Sequence, residues 1–129
     1  ELGVARDGYS VWGSSAGARM AAFIGSHGAA AFGAGEHPAP AAVVMAYTAH
    51  SDNSDEEPPT LVVVGRRDRI APPNMMESRI AKLRAAGIEV EYHVYESLGH
   101  GFGLGVGTEA EGWISDAVAF WEKQITITE

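Results

Sequence analysis

Cysteine is absent from the 129-residue sequence. Neither a disulfide framework nor a Cys-ligated zinc site can form, and the redox compartment stays undefined. No apolar run approaches the roughly 20 residues of a membrane-spanning helix, and no secretory-signal pattern is visible. Basic residues are scarce. Lys and Arg number 9 against 17 Asp and Glu, for a net charge of −8. That balance disfavours nucleic acid, which is held through basic patches, and it disfavours an anionic membrane surface. An acidic excess suffices to keep a chain in solution. His27, His37, His50 and His93 form no H-E-x-x-H, which argues against zinc. Asp52, Asp55, Glu56 and Glu57 lack EF-hand spacing and read as a solvated acidic loop. No metal or organic cofactor is implied.

The content that is present, 46% hydrophobic and 20% charged, is that of one globular domain large enough to bury a core. The opening Glu1-Leu2-Gly3 reads as the fraying end of a helix. Tyr9–Trp12 is short, β-prone and bounded by Gly8 and Gly13, so a strand is expected. Ala16–Ile24 suits a helix, and the Gly-, Ala- and Pro-rich Gly25–Pro40 suits a loop. Ala42–Tyr47 and Leu61–Val64 are continuous apolar runs, as in parallel strands covered on both faces. The acidic Ser51–Pro59 lies between them as a loop. Asn74–Ala86 reads as a helix with Asn74 as N-cap, Glu77 completing a capping box, an apolar stripe of Met76, Ile80 and Leu83, and Gly87 as its stop. Ile88–Tyr95 alternates. Val90, Tyr92 and Val94 share one side and Glu91, His93 and Tyr95 the other, as in a strand near a sheet edge. A last helix spans about Glu111–Gln124, with Trp113, Ile114, Ala117, Val118, Phe120 and Trp121 on its apolar side. The order strand, helix, strand, strand, helix, strand, helix is an α/β pattern with a mostly parallel sheet and flanking helices.

Three short segments carry chemistry. Gly13-Ser14-Ser15-Ala16-Gly17 is a G-x-S-x-G between an expected strand and an expected helix, the context that motif requires. With 16 glycines in the chain the bare pattern arises readily by chance, so the context carries it. In such a turn the serine is driven to positive φ, and Gly13 and Gly17 stay bare because side chains there would collide. The backbone N–H of Ala16, at a helix N-terminus, can donate to an oxyanion. Asp68 follows the third strand, on the rim where parallel sheets bind ligands. Its plainer reading is a solvated acid paired with Arg66, Arg67 or Arg69. His100 lies in Gly99-His100-Gly101-Phe102-Gly103, where flanking glycines allow a loop to swing over a neighbouring strand. The alternating glycines complete no phosphate-binding motif. Ser14 and Tyr47 are candidate substrate-pocket residues, and Met45 is a further candidate for an acyl pocket.

The chain order Ser, Asp, His, each just after a strand, is that of α/β-hydrolases. YSVWGSSAGARMAA (9–22) resembles the nucleophile elbow of the esterase/lipase branch of that superfamily. LVVVGRRDRIAPP (61–73) resembles its acid turn, and ESLGHGFG (96–103) its histidine turn. EAEGWISDAVAFWEKQ (109–124) is similar to the closing helix of acetyl-esterase and acetylxylan-esterase-like members. The resemblance implies that Ser15 is nucleophile, His100 base and Asp68 the acid that orients it, in a hydrolase of carboxylic esters with small acyl groups, such as acetyl on a carbohydrate. It also implies that residues 1–129 form one partial α/β-hydrolase domain, corresponding to the fifth to eighth strands of the fold. In the family a loop preceding the elbow, bearing His-Gly-Gly or a similar motif, gives the second oxyanion donor, and this sequence does not include it. The expectation is a second chain carrying the N-terminal half, or self-association along the first strand, with apolar faces such as Val43 and Val62 short of cover. The rival expectations are a non-catalytic hydrolase-like binding module and a peptidase of related fold.

Overall fold

The computed structural model describes residues 7–27, 39–50 and 57–128. Its elements are β1 (Ser10–Ser14), α1 (Ala16–His27), β2 (Ala42–Ala46), β3 (Thr60–Gly65), α2 (Pro73–Ala85), β4 (Val90–Tyr95) and α3 (Trp113–Thr128). The order of types is the one the sequence pattern implies. The four strands form one sheet in the order β1-β2-β3-β4, and every pairing is parallel. β4 closes one end of the described sheet, in line with its alternating pattern.

Every residue of β2 and β3 is buried, because helices cover both faces. On one face Val43, Met45, Val62 and Val64 meet Ala18, Ala21 and Ala22 of α1 and Met76 and Ile80 of α2. On the other, Val44, Ala46, Leu61 and Val63 meet Trp113, Ala117 and Phe120 of α3. Alternate strand residues point to opposite faces, so two separate helix layers share these two strands. Val43 and Val62, expected to lose part of their cover, are buried at 1% and 0% exposure under α1 and α2. α1 sits close to the sheet because its buried stripe is small. A Cβ on Gly25 would lie 2.8 Å from Val43 Cγ2.

The boundaries of α1 and α2 differ from expectation. α1 runs on to His27, so Gly25–His27 belong to the helix rather than to a loop. Residues 28–38 and 51–56, which include His37, Asp52, Asp55 and Glu56, lie outside the described residues. α2 begins at Pro73, with Pro72 in the cap position and no side-chain cap. Asn74 is therefore inside the first turn and the expected capping box does not form. Proline at the first helical position wins because its φ is already helical and its missing N–H would have had no partner. At the other end Gly87, at φ 82, closes α2 as expected. Its N–H donates to Arg84 O and that of Ile88 to Leu83 O, the paired bonds of a Schellman cap.

The largest departure concerns Glu57. It is not on a solvated loop. Its side chain is 1% exposed and pairs with the equally buried Arg79 of α2, Oε2 to Nη2 at 3.4 Å. Ser26 Oγ of α1 donates to Glu57 Oε1 at 2.5 Å, and Arg79 Nη1 reaches Met45 Sδ at 3.6 Å. Met45 thus faces the α1/α2 layer and is no part of an acyl pocket.

Candidate active site

All four strands end on one rim, and the chemistry-bearing residues sit on it. β1 runs into a turn at Ser15, whose φ is 51. Such a conformation is costly for a residue with a side chain. The turn is held by Ser15 N–H donating to Ala46 O at 2.9 Å and by Ala18 N–H donating to Ser15 O at 3.1 Å. Gly13 is bare for the expected reason, since a Cβ there would sit 2.2 Å from Gly17 O. Gly17 differs from expectation. A Cβ on it would meet nothing within 4 Å, so the crowding falls on one glycine of the pair. Ala16 is the first residue of α1, so its N–H has no carbonyl to bond within the helix.

The acid turn and the histidine turn are bonded to each other. Arg66 N–H donates to Tyr95 O and Arg67 N–H to Leu98 O, each at 3.0 Å. They approach so closely that a Cβ on Gly65 would lie 2.3 Å from Leu98 O. Asp68, with a side chain 0% exposed, accepts at Oδ1 from the N–H groups of Ile70 and Ala71 at 2.8 and 2.7 Å. Its Oδ2 lies 2.7 Å from His100 Nδ1. His100 Nε2 in turn lies 2.9 Å from Ser15 Oγ. A carboxylate only accepts, so Nδ1 carries the ring proton and donates to Asp68, and Nε2 accepts from the serine hydroxyl. The three residues separated in sequence are thus brought into one chain of hydrogen bonds. Asp68 is not the partner of the neighbouring arginines. Arg66 pairs with Glu77 at 3.2 Å and Glu96 at 3.5 Å, and its pKa is raised chiefly by the Glu77 hydrogen bond. Tyr92 OH also donates to Glu77. Burial first, then the Glu77 charge, pushes that phenol well above its ordinary value.

Beside the Ser15–His100 pair lies a cavity of about 300 Å³ on the α3 side of the sheet. Ser14 and Tyr47, both expected pocket residues, line it together with Trp12, Val44, Leu104 and Trp113. Its walls are mostly apolar because both indole N–H groups are used elsewhere. Trp12 Nε1 donates to Ser10 Oγ and Trp113 Nε1 to Gly103 O. Trp12, Leu104 and Trp113 were missed as site residues. Trp12 could have been found from strand alternation, since it shares a face with Ser14. Nothing local marks Leu104 or Trp113. Of the other histidines, His93 Nε2 bonds Glu91 Oε2 at 2.7 Å on the outer part of β4. Among the described residues, no group of three His, Asp or Glu could hold a metal ion, and no helix is long and apolar enough to cross a membrane.

Residues 36–128 match the profile of the prolyl oligopeptidase family. The match takes in Asp68 and His100 and stops short of Ser15. No curated protein matches the sequence. Several solved structures share the fold. An α/β hydrolase enzyme from a Medee basin deep-sea metagenome library is 22% identical, with a TM-score of 0.74 over 91% of this chain and 54% of its own. An acetyl ester-xyloside bifunctional hydrolase from Caldicellulosiruptor lactoaceticus is 19% identical, with a TM-score of 0.72 over 87% and 55%. A sugar hydrolase from Lactococcus lactis is 22% identical, with a TM-score of 0.73 over 93% and 60%. The chain therefore spans somewhat more than half the length of these structures, and its parallel sheet with flanking helices is part of an α/β-hydrolase fold.

Proposed function

The chain belongs to the prolyl oligopeptidase family of α/β-hydrolases, and we propose on that basis that it serves a serine hydrolase that cleaves carboxylic esters through an acyl-enzyme on Ser15. The observation that carries the reading is the unbroken hydrogen-bond chain Ser15 Oγ, His100, Asp68. In the proposed step His100 Nε2 takes the hydroxyl proton as Ser15 Oγ attacks the ester carbonyl carbon. The carbonyl π pair moves onto oxygen, where the N–H of Ala16 stabilises it. Collapse re-forms the carbonyl and breaks the bond to the alkoxy oxygen, which receives the proton from His100. Water then repeats the sequence on the acyl-enzyme and frees Ser15. Asp68 keeps the ring proton on Nδ1 and stabilises the imidazolium formed in each half. Nothing in this scheme calls for a metal or an organic cofactor.

Substrate class is supported by similarity alone. The neighbours include an acetyl ester-xyloside hydrolase and a sugar hydrolase, so we assign a small acyl group, such as acetyl on a carbohydrate. A peptidase is the second reading, favoured by the family match itself. We further propose that another segment, on a second chain or a second copy, pairs along β1. Among the described residues β1 bonds only β2, and open strand edges recruit partners. Sedimentation at micromolar concentration tests this, and a stable monomer with no accompanying fragment overturns it.

A fluorophosphonate probe tests the chemistry. Mass is expected on Ser15 with loss of fluoride, and none in Ser15→Ala. A folded protein that stays unlabelled, or labels equally well without Ser15, refutes the reading and leaves the non-catalytic module. Matched ester and amide substrates then separate esterase from peptidase.

A further inference from the structure

We propose that Tyr47 is a positioning residue that fixes the plane of the His100 imidazole, and that its left-handed backbone is what delivers its ring to that place. The inference rests on the serine-hydrolase reading above.

The argument starts from strand alternation. Val44 and Ala46 face the α3 layer and Met45 faces α1 and α2. Continued extension would send Tyr47 to the side of Met45. Instead Tyr47 has φ 36 and packs in the same layer as Ala46, beside Leu98 and Phe102 of the histidine turn. Two successive side chains are placed on one face by a conformation that residues with side chains rarely adopt. Such strain persists only where the surroundings impose it. Here they do. Tyr47 N–H donates to Val63 O at 2.8 Å, and the carbonyl just before it, Ala46 O, accepts from Ser15 N–H at 2.9 Å.

The tip of β2 therefore touches both members of the reactive pair. Its carbonyl holds the Ser15 backbone, and its next side chain reaches the imidazole. The Tyr47 and His100 rings lie 5.3 Å apart at 75°. Phe102 stands 4.9 Å from Tyr47 at 71° and 5.7 Å from Tyr95 of β4 at 84°. A relay of near-perpendicular rings thus runs from the imidazole through Tyr47 and Phe102 to Tyr95 of β4. The Tyr47 contact matters because His100 sits among glycines, two of which, Gly101 and Gly103, have φ of 76 and 56. Asp68 and Ser15 hold Nδ1 and Nε2 through hydrogen bonds, and neither packs against the imidazole as the Tyr47 ring does.

The test compares Tyr47→Phe, Tyr47→Ala and Tyr47→Gly in the full chain. The readouts are the fluorophosphonate labelling rate at Ser15 as a function of probe concentration, and thermal melting. Tyr47→Phe keeps the ring and is the conservative rescue, expected to label with a limiting rate well above that of Tyr47→Ala. Tyr47→Ala and Tyr47→Gly are expected to lower the limiting rate about 10- to 100-fold, as small misplacements of reacting groups do, with little change in the half-saturating concentration. Tyr47→Gly should melt above Tyr47→Ala, reversing their usual order, because positive φ suits glycine. An undiminished limiting rate in Tyr47→Ala overturns the proposal, as does an effect confined to half-saturation, which would make Tyr47 a mere cavity wall. Tyr47→Ala melting above Tyr47→Gly would refute the backbone part. If Ser15→Ala labels as fast as the unaltered protein, the hydrolase reading fails and takes this one with it. Specific labelling at Ser15 together with an indifferent Tyr47→Ala sinks this inference alone.

Discussion

Glu57→Gln removes a charge from a buried pair. Both side chains of the Glu57–Arg79 pair are 1% exposed, and the guanidinium lies against Met45 in the apolar layer between sheet and helices. The amide preserves volume, so packing changes little and the loss is electrostatic. Removing one charged partner of a buried pair costs up to about 3–5 kcal/mol. Against a total stability of about 5–15 kcal/mol for a domain, that is a large share, a drop in melting temperature on the order of 10–20 °C. The same physics makes a second, opposite forecast. Replacing both partners by apolar residues of similar volume, as in Glu57→Leu with Arg79→Met, removes both buried charges and their desolvation penalty together. The double variant should recover most of the loss. Urea unfolding followed by the fluorescence of Trp12, Trp113 and Trp121 gives the three free energies. A single variant within about 1 kcal/mol of the unaltered protein, or a double variant no more stable than the single, would refute the reasoning.

Gly13→Ala should abolish Ser15 labelling, because the new methyl would lie 2.2 Å from Gly17 O, whereas Gly17→Ala meets nothing within 4 Å and should label normally; equal behaviour of the two would contradict the elbow geometry. Gly65→Ala puts a methyl 2.3 Å from Leu98 O, so it should part the acid turn from the histidine turn and lower labelling more than it lowers stability, and a fully labelled variant would count against that coupling. Glu89 is held below its ordinary pKa, first by the Lys123 hydrogen bond. A carboxylate depressed by folding contributes stability above its unfolded pKa and loses it as pH falls through the folded value, so Glu89→Gln should flatten the acid limb of stability against pH, with an unchanged limb as the contrary result. Tyr92 is raised by burial and by Glu77, so its contribution is present below the ordinary phenol range and lost as pH rises through the folded value. Tyr92→Phe should remove that alkaline loss, and tyrosinate absorbance shows whether the phenol titrates late.

The parts of the site that were legible in the sequence are those fixed by local rules. Gly13 to Gly17 announce the elbow because the pattern frames a serine between strand and helix, although Gly13 alone of the two glycines is crowded, and Asp68 and His100 are each placed by the strand end just before them. The reach of the chemistry across β2, β3 and β4 follows from the parallel order, which continuous apolar runs at Ala42–Tyr47 and Leu61–Val64 already imply. What was not legible depends on partners far along the chain. Glu57 reads as a surface acid in an acidic stretch, and only the docking of α2 brings Arg79 to it. Asn74 has the chemistry of a cap, yet Pro73 fixes the backbone one residue earlier. Tyr47 reads as the last residue of a strand because neither its own composition nor its neighbours contain a glycine to signal a left-handed turn.

The uniformly parallel sheet has a kinetic consequence. Ser15, Tyr47, Asp68 and His100 each follow a different strand, and parallel neighbours can join only through long crossovers. The hydroxyl and the imidazole that meet at 2.9 Å are 85 positions apart. No nascent hairpin or single crossover unit contains both, and such distant contacts form late in folding. During refolding, helical signal and tryptophan burial should return while Ser15 is still unreactive. Reactivity should appear only when β4 closes onto β3 and carries the histidine turn into reach, so the appearance of a reactive serine times the docking of the last strand.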